Sequence, residues 1–159
     1  MKILIVSDTH RKNDNYLEVV KRCAPIDMVI HCGDIEGSEF IIEQAVDCPV
    51  EMVMGNNDFF SELPREKEFM LGKYKVWLTH GHTYYVSMEN KTIKKEAALK
   101  GADIVMYGHS HRPVVDYDEG VIAVNPGSLT YPRQEGRRPS YILMEIDKNE
   151  NVHFTINYL

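Results

Sequence analysis

Apolar residues recur along the chain in two alternating patterns. Ile3-Leu4-Ile5-Val6 is an unbroken apolar run of the kind found in strands covered on both faces. From Asn15 to Cys23 the spacing lengthens. Tyr16, Leu17, Val19, Val20 and Cys23 fall at helical intervals, and Asp14 is the expected N-cap. Met28-Val29-Ile30 predicts a second strand and Ser38 to Val46 a second short helix, with Phe40, Ile41, Ile42 and Ala45 apolar. Val50 to Met54 predicts a third strand. This alternation of strand and helix predicts parallel pairing through right-handed crossovers.

The later part of the chain reads differently. Phe69 to Leu71 and Lys75 to Thr79 flank Gly72-Lys73, which predicts a hairpin and so an antiparallel component. Ser87 to Lys100 predicts a helix through Ile93, Ala97 and Leu99, with Gly101 as its stop. Asp103 to Tyr107 is another buried run. Val114 to Tyr117 pairs with Val121 to Val124 across Asp118-Glu119-Gly120, and Tyr141 to Ile146 with Val152 to Ile156 in a closing hairpin. Many strands and three helices define the expected fold class as α/β: a four-layer α/β/β/α sandwich of two mixed sheets flanked by helices. The 159 residues fit a single domain over residues 1–159. Met28, Met52, Met54, Met106 and Met144 lie within strand runs and read as core filler.

Composition narrows the function classes. Twenty-four acidic residues stand against 18 basic ones, a formal charge of −6. That balance argues against a duplex nucleic acid partner, which needs a basic stripe. Cys23, Cys32 and Cys48 are odd in number and scattered, so neither a disulfide framework nor a CxxC metal knuckle is expected; each reads as buried. The Ile3–Val6 run is too short for a signal peptide, and no stretch approaches membrane-spanning length. A cytoplasmic location without a membrane partner is therefore expected, and Asn90-Lys91-Thr92 is read as an accidental glycosylation pattern.

The candidate chemistry comes in five groups: Asp8-Thr9-His10, Gly33-Asp34, Gly55-Asn56-Asn57-Asp58, His80-Gly81-His82 and Gly108-His109-Ser110-His111. Each directly follows an apolar run. Loops at the carboxyl edge of parallel strands converge in space, which is where open α/β sheets bind ligands. Five of the seven histidines fall in three of these groups, which turn chemistry alone does not explain. Carboxylates, imidazoles and an amide oxygen without a thiolate suit manganese, iron, zinc or similar ions. Seven donors exceed what one catalytic ion with open positions needs. They suit two ions if one carboxylate bridges, and ions roughly 3.5–4 Å apart can clamp an in-line phosphoryl displacement.

The ordered series Asp-x-His, Gly-Asp, Gly-Asn-x-Asp, His and Gly-His-x-His resembles the calcineurin-like metallophosphoesterase superfamily. The Ile-Val-Ser-Asp-Thr-His opening and Asn125-Pro126-Gly127-Ser128 resemble its small bacterial and archaeal phosphodiesterase branch. The resemblance spans residues 3 to 128. It implies one ion on Asp8, His10, Asp34 and His111 and a second on Asp34, Asn56, His80 and His109, with Asp34 bridging. Manganese is the first candidate, with nickel, iron, zinc or magnesium as others. The implied activity is hydrolysis of a small phosphate ester, most simply a diester, by a metal-bound hydroxide. Asp34 and Asn56 belong to that catalytic machinery.

One position departs from the pattern. The superfamily usually carries a histidine after the metal-binding asparagine, thought to protonate the leaving group; here it is Asn57. General acid catalysis contributes about 10²–10⁴-fold, so its loss weighs most on poor leaving groups. His82 is the candidate to supply a proton instead, with a bystander role as the alternative. Asp58, which would orient the missing histidine, is expected to bond loop amides or a ligand imidazole. Arg133 and Ser128, in the loop after the last motif, are the expected substrate contacts. His31 and His153 read as structural. Tyr84 and Tyr85 read as packing at a helix entrance. The rival reading is a non-catalytic scaffold or binding module with the same fold, and Asn57 is the feature that favours it. Self-association is left open.

Overall fold

The computed structural model describes residues 1–159, the side chain of Glu119 excepted. Strands β1 (Lys2–Val6), β2 (Met28–His31) and β3 (Val50–Met52) alternate with helices α1 (Asp14–Cys23) and α2 (Glu39–Gln44). Then come β4 (Glu66–Leu71), β5 (Tyr74–Thr79), α3 (Lys91–Leu99), β6 (Ile104–Met106), β7 (Pro113–Asp116), β8 (Ile122–Pro126), β9 (Ser140–Ile146) and β10 (Val152–Tyr158). Short 3-10 turns occupy His82–Tyr84 and Asp118–Gly120.

The strands form two five-stranded sheets, ordered β10-β9-β1-β2-β3 and β4-β5-β6-β8-β7. Both are mixed. β1, β2 and β3 run parallel, as do β5, β6 and β8, while β9, β10, β4 and β7 pair antiparallel. β1 explains its own composition. Ile3 and Ile5 join Val76, Leu78, Ile104 and Met106 in the core between the sheets. Leu4 and Val6 turn the other way, onto Tyr16, Val19 and Ile42 of α1 and α2. A strand sandwiched on both faces has no solvent side and is apolar throughout. In the second sheet Trp77 and Val105 face Ile93 and Ala97 of α3. The four layers are thus helices, sheet, sheet and helix, as expected.

Several boundaries differ from the pattern reading. α1 begins at Asp14, so Asn13 rather than Asp14 holds the capping position, without a side-chain bond to the helix. α2 spans only 39–44: Ser38 sits at its N-terminal capping position, and the Val46 N–H falls back to the Glu43 carbonyl at 3.4 Å in a tighter turn that ends the helix. α3 starts at Lys91 instead of Ser87: the Met88 and Glu89 N–H groups turn back to the Tyr85 carbonyl at 2.9 and 3.3 Å, and Asn90 takes the N-terminal capping position. β3 stops at Met52, and the Met54 N–H is taken instead by the Pro64 carbonyl at 2.9 Å. β4 is longer than its apolar core: Glu66, Lys67 and Glu68 continue an edge strand paired with β5, where polar side chains reach solvent. Cys23 and Cys32 are buried and Cys48 half-buried, all free. No helix is long and apolar enough to cross a membrane.

Candidate metal centre

The loops after β1, β2, β3, β5 and β6 meet where the two sheets present the ends of their parallel strands. Asp8, His10, Asp34 and His111 form the tightest group, each offering one ligand atom, all within 4.8 Å of one another. Asp8 and Asp34 are buried, as is His111. His80, fully buried, adjoins them: its Nε2 lies 3.5 Å from Asp34 Oδ2 and 3.1 Å from Asn56 Oδ1. His109 packs its ring 5.3 Å from that of His80, and its backbone N–H donates to Asp8 Oδ2 at 3.2 Å. The structure therefore brings all seven expected donors into one neighbourhood, with Asp34 between the two subsets.

The chain holds these residues in unfavourable backbone. Asp8, His10, Asp34, His109 and His111 all have φ between 47° and 64°, and so does Glu36 (φ 59°). Left-handed conformation in a non-glycine residue costs on the order of 1 kcal/mol, and a cluster of such residues marks a site whose geometry outweighs local preference. Two neighbouring glycines are dictated by close approach. A Cβ on Gly55 would sit 2.1 Å from Asp34 Oδ1, and one on Gly108 would sit 2.0 Å from Ser7 Oγ and 2.8 Å from Asp8 Oδ2.

Hydrogen bonding fixes which nitrogen each imidazole turns inward. His80 Nδ1–H donates to the Cys32 carbonyl and His111 Nδ1–H to the Tyr131 carbonyl, both at 2.7 Å. His10 Nδ1 is held by Glu36 Oε1 at 2.6 Å. In the neutral ring each therefore presents the bare lone pair of Nε2. His111 Nε2 then faces Asp8 Oδ1 at 3.0 Å, acceptor against acceptor. His10 Nε2 stands 3.8 Å from both Asp8 Oδ1 and Asp34 Oδ2. Asp8 Oδ1 and His10 Nε2 are buried and lack any hydrogen-bond donor. Unpartnered buried acceptors are costly unless a cation lies among them. The donor set fits a divalent metal.

The clustered carboxylates and imidazoles also shift one another's proton affinities. Burial pushes Asp8 up, but the His111 and His80 imidazoles outweigh it and hold the carboxyl below its ordinary value. Asp34 is likewise held down against burial, by His80 and the Asn57 amides. Burial pushes His80 down, yet the Asp34 and Asp8 carboxylates raise it to about 9. His82 and His109 are lowered by burial and by the charge of His80. His31 is lowered to about 4 by burial, and its role is structural, as expected. It accepts the Gly33 N–H on Nδ1 at 3.2 Å and meets Thr9 Oγ1 with Nε2 at 3.1 Å.

Asp58 bonds loop amides, one of the two roles foreseen for it. Its carboxylate accepts the N–H groups of Asp34, Ile35, Glu36 and Gly55 at 2.5–2.9 Å, clamping the loops after β2 and β3 together. Asn57 is not idle. Its backbone and side-chain N–H groups donate to the two Asp34 oxygens at 2.9 and 2.7 Å. Arg133 lines a cavity of about 160 Å³ with His10, Asp34, Asn56, His109 and His111. His82 is half-buried, its ring 5.5 Å from His80, and its Nδ1 is buried without a partner. Ser128 requires a correction. It is fully buried and no substrate can reach it; its hydroxyl donates to the Asp8 carbonyl at 2.9 Å and accepts the Thr130 and Tyr131 amides. Tyr84 packs edge-on against Trp77 and bonds Glu66, whereas Tyr85 is exposed. His153 is a surface residue beside Asp147. Glu36 and the Tyr131 carbonyl, which aim two of the imidazoles, escaped the sequence reading because neither carries a motif.

The fold and the donor cluster describe an α/β/β/α sandwich with a candidate metal-binding site at the ends of its parallel strands. The chain belongs to the calcineurin-like phosphoesterase superfamily, whose domain model matches residues 1–149. Membership places it among the phosphoester hydrolases. A probable metallophosphoesterase of Bacillus subtilis is 32% identical over 94% of this chain and 86% of its own length. A phosphodiesterase of Methanocaldococcus jannaschii is 30% identical over 80% of this chain and 83% of its own. The crystal structure of a Vps29 single mutant from Entamoeba histolytica has a TM-score of 0.80 at 22% identity, over 100% of this chain and 99% of that one. That likeness concerns the fold alone.

Proposed function

We propose that the protein is a phosphodiesterase that binds two divalent ions, manganese first among the candidates, and hydrolyses small phosphate esters. One ion would be held by Asp8, His10, Asp34 and His111, the other by Asp34, Asn56, His80 and His109. The observation that carries this reading is the facing pair of buried acceptors, Asp8 Oδ1 and His111 Nε2, with His10 Nε2 beside them. When bound, such ions polarise phosphoryl oxygens and lower the pKa of water.

The chain's own residues supply the rest. Glu36, Cys32 and Tyr131 fix the imidazoles with Nε2 inward. Asn57 holds the Asp34 carboxylate in place but has no acidic proton to give a leaving group. Arg133, exposed at the cavity wall, is positioned to take the phosphate as a bidentate donor. His82, its ring 5.5 Å from that of His80, is the candidate to supply a proton instead.

The rival, a non-catalytic binding module of the same fold, draws on Asn57. It leaves unexplained a set of left-handed, inward-aimed ligands that costs folding energy. Aryl and alkyl phosphodiesters and the matching monoesters, assayed with added Mn²⁺ and then with a chelator, separate the two. Metal-dependent diester hydrolysis is expected, and a Mn²⁺-saturated protein inert toward every ester would support the binding module.

A further inference from the structure

Beside the metal centre opens a larger cavity of about 740 Å³, whose walls include Arg11, Glu36, Asn57, Phe59, Phe60 and Leu63. The two cavities adjoin. Asn57 lines both, and Glu36, in the wall of the larger, holds His10 of the smaller. The volume is that of a small-molecule site.

Its apolar surface is unusual. Phe59 is 77% exposed and Phe60 100%, two adjacent aromatic rings left in water at the mouth of a cleft. An exposed ring forgoes the transfer energy that burial supplies, and the pair stands where a ligand could restore it. The loop that carries them is anchored at both ends. Asp58 immediately before them clamps four amides, while the Ser61 N–H bonds the Asp58 carbonyl and its hydroxyl bonds Glu39 Oε1, both at 3.2 Å. The rings are therefore presented by a fixed segment.

Charge selects among aromatic groups. Glu36, Glu39, Asp58 and Glu62 line the cavity against the lone guanidinium of Arg11. Asp58 is consumed by backbone amides and Glu36 faces His10, which leaves Glu39 and Glu62 opposite Arg11. A second phosphate or carboxylate on the substrate would enter a field of its own sign, whereas a neutral or cationic ring would not.

We propose that this cavity is a specificity subsite for one ester group of the substrate, an uncharged or cationic aryl or heteroaryl ring, with Phe59 and Phe60 as its recognition surface. The inference rests on the phosphoesterase reading of the adjoining centre. Phosphonates, whose C–P bond is not hydrolysed, test it by binding alone. Titration calorimetry on the Mn²⁺-loaded protein should find benzylphosphonate bound about tenfold more tightly than methylphosphonate, as expected for burial of a ring. A para-carboxylate on the benzyl group should cancel much of that gain, and a para-aminomethyl group should not. In the double variant Phe59→Ala, Phe60→Ala, with an unchanged circular dichroism spectrum, the ratio of the two affinities should fall close to one.

Hydrolysis of diesters is measured in parallel to separate the two readings. A protein that cleaves phosphodiesters but binds benzyl- and methylphosphonate equally lacks the subsite and keeps its activity. A benzyl preference that survives the double variant overturns the assignment to Phe59 and Phe60. A protein that neither binds phosphonates nor cleaves esters loses the phosphoesterase reading, and the subsite with it.

Discussion

Asp58→Asn is the most searching perturbation of the frame that carries the proposed metal ligands. The residue is 3% exposed, and its two oxygens accept two backbone amides each: Ile35 and Glu36 on Oδ1, Asp34 and Gly55 on Oδ2. Asparagine keeps the shape but turns one oxygen into an NH₂ group. Whichever way that amide faces, two backbone N–H groups lose their acceptor and meet a donor. A hydrogen bond to a charged group contributes about 1.5–3 kcal/mol net, so the two lost bonds cost about 3–6 kcal/mol. With a urea m value of about 2 kcal/mol/M, the unfolding midpoint should fall by roughly 1.5–3 M. Asp34 and Glu36 sit in the clamped segment, so Mn²⁺ affinity should fall as well. Urea unfolding followed by circular dichroism in the presence of a chelator gives the stability term, and calorimetric titration with Mn²⁺ in the absence of urea gives the second. Asp14→Asn, an exposed carboxylate in the first turn of α1, is the control and should shift stability by less than about 1 kcal/mol. If Asp58→Asn unfolds at the same urea concentration as that control, the four amide bonds do not organise the site.

Asp8→Asn removes the buried carboxylate oxygen that faces His111 Nε2 at 3.0 Å. The same variant should lose the stabilisation that Mn²⁺ confers on wild type, and a metal-induced melting shift equal to that of wild type would remove Asp8 from the ligand set. His31 has a folded-state pKa depressed to about 4, so the folded protein resists its protonation. Stability is complete above the ordinary imidazole pKa near 6.5 and is lost as pH falls from there through about 4, by about 3 kcal/mol. Chelated wild type and His31→Gln, unfolded in urea at pH 7.5 and 4.5, should differ by about 2.5 kcal/mol in the stability lost between the two pH values; equal losses would refute it. Asn57→His should restore a proton donor and flatten the dependence of hydrolysis rate on leaving-group pKa, helping alkyl esters by up to about 10²-fold at unchanged metal content. Identical slopes in wild type and variant would show that position 57 is not the missing acid.

Much of this architecture is written locally. An apolar run such as Ile3–Val6 has one stable environment, between two layers, so the β1–β3 strands and the double-layered core follow from patterning alone. The donor residues were legible for a similar reason: carboxylates, imidazoles and an asparagine at successive strand ends have few structural uses in combination. Asp58 was legible only in part, as a carboxylate beside loop amides. Elements whose limits depend on partners were not legible. β4 extends through Glu66, Lys67 and Glu68 because β5 offers a hydrogen-bonding edge, which polar side chains do not advertise. α3 starts late because the Met88 and Glu89 N–H groups close a turn on the Tyr85 carbonyl, a contact that apolar spacing does not reveal.

The sequence by itself determined the layer order, the strand-end placement of the candidate donors and the asparagine at position 57, since each depends on residue type and local spacing. Tertiary structure alone decided how those residues meet. It turned Ser128 inward to brace the Asp8 carbonyl, and used Glu36 and the Tyr131 and Cys32 carbonyls to aim three imidazoles. It also set Asp8 against His111 across the two sheets. Such contacts join residues far apart in the chain, and a hydrogen bond or a pair of opposed lone pairs exists only once packing has fixed distance and direction. Pattern can therefore name the donors. The geometry that draws them into one cluster comes from the folded core.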